Sequence, residues 1–131
     1  MATVTSAKTS FNFLPTVTLA GTYEASSLAD GDDVEMAEIP ARFRATYIRV
    51  AFDDLGAGTT MDVGDTDTVD LYVDGQDTAS AAGTVEWYPA ADEKGKLYTT
   101  ANTIQFRNLG AAATGSVSWI VQGYMDYEGT S

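Results

Sequence analysis

The chain has 131 residues, with 7 Lys plus Arg against 19 Asp plus Glu, giving a net charge of −12 and a pI near 4.1. This length suits one domain that buries a core unaided, and 44% hydrophobic with 11% aromatic residues is too rich for a disordered acidic segment. The charge opposes direct binding to a phosphate backbone, and the absence of Cys and His removes disulfides, thiolate nucleophiles, imidazole general bases and Cys/His metal sites.

In chain order, residues 1–14 lack alternation but hold Phe11, Phe13 and Leu14. They read as an N-terminal arm that orders against a partner, or as a cover for one end of the domain formed by residues 15–131. No basic start precedes an apolar core and no run of 18 apolar residues occurs, so neither a cleaved leader nor a membrane span is expected. A first strand is expected over Thr16–Thr22, closed by Gly21, and a second over Asp33–Ile39 after the turn Asp30-Gly31-Asp32-Asp33. Arg44–Asp53 is the clearest strand, with Ile48, Val50 and Phe52 on one face and Tyr47, Arg49 and Ala51 on the other.

The chain resumes with Met61 and Val63, turns through Gly64 and Asp65, and alternates again from Val69 to Val73, with Tyr72 on the polar face and Asp74-Gly75 as the stop. Thr84–Tyr88 follows, ending at Pro89. Ala90–Lys94 has room for one helical turn, and Leu97–Thr100 and Thr103–Phe106 read as a pair around Ala101-Asn102. Asn108–Gly115 is a small-residue turn, and Ser116–Asp126 is the last strand, with Val117, Trp119 and Val121 on one face. The expected fold is all-β: a single-domain antiparallel β-sandwich, jelly-roll-like, of about eight or nine short strands. Eighteen Thr agree with it, because β-branched side chains suit a pleated, half-wet surface.

Asp62, Asp65, Asp67, Asp70, Asp74 and Asp77 place six carboxylates in sixteen positions. Asp65 and Asp67 occupy the first and third positions of a calcium loop, but Val69 and Asp70 break the fifth and sixth, so the alternative is a solvated face. Nothing singles out a glycosidase-type carboxylate pair or a nucleophile elbow; no catalytic residue and no cofactor is expected, and the chain reads as a non-enzyme. Trp119 is assigned to the core, and Trp87, which shares parity with Val85, also fits there. Tyr88 and Tyr98 are expected at an interface, with Tyr72 able to extend an aromatic platform. Among the four arginines, Arg42, Arg44, Arg49 and Arg107, Arg42 is the interface candidate, since its fork pairs carboxylates bidentately.

The stretches Ala29-Asp30-Gly31-Asp32, Val50-Ala51-Phe52-Asp53-Asp54-Leu55-Gly56, Asp70-Leu71-Tyr72-Val73-Asp74-Gly75 and Gly110-Ala111-Ala112-Ala113-Thr114-Gly115 resemble small structural proteins of tailed bacteriophages, of the capsid decoration or cement kind. The resemblance implies a β-sandwich on the capsid exterior of the virion, assembled in the host cytoplasm, bound to the major capsid protein and associating as a homo-oligomer, a trimer in many such proteins. Charge agrees with the exterior, since a −12 surface lining a DNA-filled shell would be repelled. The alternative is a tail-associated or receptor-binding module holding carbohydrate through Tyr72, Tyr88 and Tyr98.

Overall fold

A computed structural model describes residues 15–128, and within them every regular element is a strand. The strands are β1 (Val17–Leu28), β2 (Asp33–Ile39), β3 (Phe43–Phe52), β4 (Thr60–Asp65), β5 (Val73–Asp77), β6 (Gly83–Trp87), β7 (Lys96–Leu97), β8 (Asn102–Leu109) and β9 (Ala113–Met125). One sheet has the order β1-β9-β3-β6, with β7 also paired to β3; the other has β2-β8-β4-β5, and every pairing is antiparallel. Successive strands from β1 to β4 therefore alternate between layers.

The alternation in the sequence becomes burial. In β3, Ile48, Val50 and Phe52 are buried while Arg49 between them is exposed, and in β9 Val117, Trp119 and Val121 are buried. From the facing sheet, Val63, Ile104 and Phe106 meet them with no exposed surface left. Trp119 joins the layers: its Nε1 donates to the Met36 carbonyl at 2.9 Å, and its ring lies 6.3 Å from that of Phe106. A large apolar ring stabilises the interior only when its polar N–H is also satisfied, and here β2 supplies the acceptor.

Four expectations give way. The strand read from Val69 to Val73 is a turn, and β5 begins only at Val73 and runs on through Gly75 to Asp77. Asp65 Oδ1 accepts the N–H groups of Asp67 and Thr68, at 2.9 and 2.8 Å, which bends the chain where alternation alone predicts extension. Leu97–Thr100 and Thr103–Phe106 do not pair; β7 joins β3, whereas β8 lies between β2 and β4 in the other sheet. Ala90–Glu93 closes a single hydrogen-bonded turn rather than a helical one. Gly21 does not close β1, which continues to Leu28, because Trp119 occupies the space where a Cβ would sit, 2.8 Å from its ring.

Gly64, expected in a turn, lies inside β4, and the returning loop crosses it so closely that a Cβ would stand 2.1 Å from the Thr68 carbonyl oxygen. That oxygen accepts the N–H of Asp65 at 3.0 Å, so the loop has little room to retreat. Gly64→Ala is expected to destabilise the fold by about 1–3 kcal/mol, the usual cost of forced overpacking, read as a lower midpoint in chemical denaturation.

Candidate interaction surface

The acidic run between residues 62 and 77 is largely turn chemistry. Asp62 Oδ1 accepts the Gly75 N–H at 2.8 Å, Asp77 accepts from Ala79 N–H and Ser80 Oγ, and Asp67 Oδ2 accepts from Asn102 Nδ2 at 3.0 Å. Asp65 is buried, and its Oδ2 receives the Tyr98 hydroxyl at 2.8 Å, which in turn lies 2.6 Å from the Tyr72 hydroxyl. Asp65 thus spends both oxygens on protein donors. Among the described residues no three of Asp, Glu, His and Cys gather as a cation site, so Asp65 and Asp67 have no third acidic ligand.

This network corrects the aromatic expectations. Tyr98, read as an interface residue, is 4% exposed, and Tyr72, read on a polar face, is 8% exposed and packs edge-on to Trp87 with centroids 4.6 Å apart. A period of two cannot see that the chain turns before Tyr72 and carries it inward. Tyr88 is 68% exposed, as an interface residue must be. Two of the three tyrosines needed for a carbohydrate platform are therefore unavailable to a ligand. A shallow cleft of about 550 Å³ at the same end, between Pro40, Thr66 and Asn102, has one ionisable side chain in its lining, Glu38, and so holds no acid–base pair.

Arg42 is half-buried and committed within the chain. Its φ is +74°, in a turn whose Phe43 N–H reaches the Pro40 carbonyl, a conformation that usually calls for Gly. Its N–H donates to Tyr98 O at 2.6 Å, its carbonyl accepts Asp126 N–H at 2.7 Å, and its Nε donates to Asp126 O at 3.1 Å. Arg44 is buried beside it, with Nε 2.7 Å from Asp126 Oδ2 and Nη1 on the Gly95 carbonyl. These two arginines fasten β3 to the end of β9. Phe11, Phe13 and Leu14, the remaining interface candidates, lie outside the described residues.

What sequence reading missed is the unequal distribution of charge between the two sheets. Across β1, β9, β3 and β6 the outward positions are Thr18, Ala20 and Thr22, then Ser118, Ile120 and Gln122, then Tyr47, Arg49 and Ala51, then Thr84 and Glu86. With Glu24 at the end of the β1 row, this face has one cation against two anions, and Arg49 stands directly opposite Glu86. The other sheet exposes Asp33, Glu35, Glu38, Asp74 and Asp77, with Arg107 as its one cation. Arg107 stands between Asp33 and Asp62 in the register and forks onto Asp33 at 2.7 and 3.0 Å. The parity of each charged residue was visible in the sequence; which strands share a sheet was not.

Burial, before any other effect, pushes the Tyr98 and Tyr72 phenols above their ordinary value of 10. Alkaline absorbance titration should show these two phenolates forming only as the protein unfolds. Tyr98→Phe leaves Asp65 and Tyr72 each short of a partner and should cost about 1–3 kcal/mol, whereas Tyr88→Phe should leave stability unchanged. The hydrogen bond from Arg107 holds the Asp33 carboxyl below its ordinary 3.8, and that from Ser80 does the same for Asp77. Their stabilisation is complete above pH 3.8 and is lost as pH falls through the depressed values. Melting temperature should therefore drop below pH 4, with a shallower drop in Asp33→Asn.

No protein-family model and no curated protein matches this chain. Solved structures do resemble it. A chain of the cyanophage Pam1 capsid asymmetric unit superposes with a TM-score of 0.66 at 17% identity, over 93% of this chain and 94% of that one. A chain of the capsid of Ralstonia phage GP4 does so with 0.61 at 18% identity, over 98% and 92%. A chain of the acidic stable capsid structure of Helicobacter pylori bacteriophage KHP30 gives 0.62 at 12% identity, over 83% and 86%. The whole fold of this chain, and not one motif of it, is thus a fold found in bacteriophage capsids.

Proposed function

We propose that this chain is a non-enzymatic structural protein of a phage virion, a capsid decoration protein that binds the outside of the shell through the major capsid protein and stabilises the head. The observation that carries the reading is the full-length likeness to chains of three phage capsid structures. The strand order supports it: β1-β9-β3-β6 over β2-β8-β4-β5 is that of a jelly roll, an architecture recurrent in viral capsids, with β7 as an added strand. The unequal faces supply a mechanism. Attachment to a shell needs on the order of 1,000 Å² of close contact, and the nearly neutral β1-β9-β3-β6 face can be covered without stripping water from many carboxylates. The acidic sheet then points to solvent and keeps coated particles apart.

Residues 1–14 extend this contact in the proposal, with Phe11, Phe13 and Leu14 as apolar anchors. Adding the purified protein to decoration-free particles of its own phage and reconstructing them by cryo-electron microscopy should give density over the shell. Density at the tail, or none, would reject decoration. Ile120→Glu, which places a charge at the middle of the neutral face, should weaken coating at least tenfold, and removal of residues 1–14 should weaken it while leaving the circular dichroism of the sandwich intact. Glu35→Lys on the acidic sheet should coat as the unmodified chain does.

A further inference from the structure

Each sheet ends in two outer strands, and three of the four are guarded against pairing with another chain. β6 has five residues, contains Glu86 and stops just before Tyr88 and Pro89; β5 has five residues, a register break and two Asp. β2 holds Asp33, Glu35 and Glu38, has a bulge after Glu35, and ends at Pro40. Short length, charge, proline and bulges are the usual means of blunting an edge. β1 has none of them over its first half. It pairs with β9 without a break from Val17 to Ala25, and from Val17 to Tyr23 it contains neither a charged residue nor a proline. Among the described residues no strand pairs with its other side, so one row of backbone N–H and C=O groups faces outward.

We propose that the β1 edge pairs with β1 of a second copy of this chain, antiparallel about a two-fold axis at Ala20, which joins the two β1-β9-β3-β6 sheets into one. Ala20 is the middle of the seven uncharged residues, and the register it sets is self-complementary. Thr18 stands opposite Thr22 on the outer face, a pairing that favours hydroxyl contact. Val17 stands opposite Tyr23 on the inner face, where both are half-buried in the single chain and an aromatic packs on a β-branched neighbour. Leu19 stands opposite Gly21, the position left without a Cβ by Trp119.

Charge selects the same edge and names the occupant. Two chains of −12 repel, and most of the exposed surface would bring carboxylate to carboxylate. The first charge along β1 is Glu24, which this register places opposite Thr16. The two Glu24 residues, eight positions apart, are then separated by ~27 Å along the strands, well past a Debye length of about 8 Å. A two-fold contact joins copies in pairs; three-fold association would use a different surface.

The chain has no cysteine, which makes the register directly readable. Opposed residues in an antiparallel pair have Cα atoms about 4.5–5.5 Å apart, inside the range a disulfide spans. Under mild oxidation Ala20→Cys should form a covalent dimer on a non-reducing gel. Thr18→Cys should not, since its two copies would lie ~14 Å apart along the strands. Light scattering should find the unmodified protein at twice the 13.9 kDa chain mass, and Thr18→Lys with Thr22→Lys should return it to one chain with unchanged circular dichroism. A monomeric unmodified protein, equal cross-linking of both cysteine variants, or an undiminished dimer in the lysine variant would each overturn the proposal. The experiment needs only the purified chain, so its failure is distinct from failure of capsid attachment.

Discussion

The buried carboxylate of Asp65 is the constraint around which one end of this sandwich is organised. It terminates β4, receives two N–H groups of the loop that follows, and accepts the hydroxyl of Tyr98. Tyr98 in turn follows β7 and exchanges backbone hydrogen bonds with the turn into β3, its N–H on Phe43 O and its carbonyl on Arg42 N–H. One side chain therefore links the two sheets through polar contacts where the apolar core thins out. A buried acid is costly unless its lone pairs are occupied, so the residues around Asp65 are fixed in number and direction, and that fixes the path from β4 to β5. Gly64 follows from this path, because the loop that caps Asp65 must cross the strand where no Cβ intervenes.

At the other extreme of polarity, the layer arrangement sorts charge. A chain of −12 needs somewhere to put its carboxylates, and two-layer packing gives each sheet one wet side. Here the wet side of β2-β8-β4-β5 and the loops take most of them, leaving β1-β9-β3-β6 covered by Thr, Ser, Ala and one Ile. A neutral surface formed from small polar residues is cheaper to desolvate than a charged one and less aggregation-prone than an apolar one, which suits repeated association with a fixed partner. Arg42 and Arg44 show the same economy of charge. Neither reaches outward; both anchor the end of β9, and Arg44 pairs with Asp126 where solvent is scarce.

Where a strand is wet on one side and dry on the other, the sequence announced it. β2, β3 and β9 were legible because Ile48, Val50 and Phe52, or Val117, Trp119 and Val121, recur with the period of the pleat. The same rule failed at Val69, Leu71 and Val73, where alternation continues but Asp65 competes for the backbone N–H groups and wins. It failed again at Leu97, whose neighbours in space belong to β3, some fifty residues earlier. For the candidate surface, Tyr88 was legible as an exposed aromatic, while Tyr72 and Tyr98 were not, since their burial depends on a turn whose cause is a hydrogen bond to a residue seven positions away in one case and 33 in the other.

By itself the sequence determined the class of this protein: an all-β domain of two faces, with no imidazole or thiol chemistry and a charge that sets it against nucleic acid. Those properties are local or additive, sums over residues and periods along a strand. Tertiary structure alone decided which strands lie side by side, and therefore that the acids of β2 and β5 share one sheet while the uncharged rows of β1 and β9 share the other. It also decided that β1 is an edge. Edges and faces are relations between segments distant in sequence, set by the closing of the two sheets over Trp119, and no period within one segment encodes them.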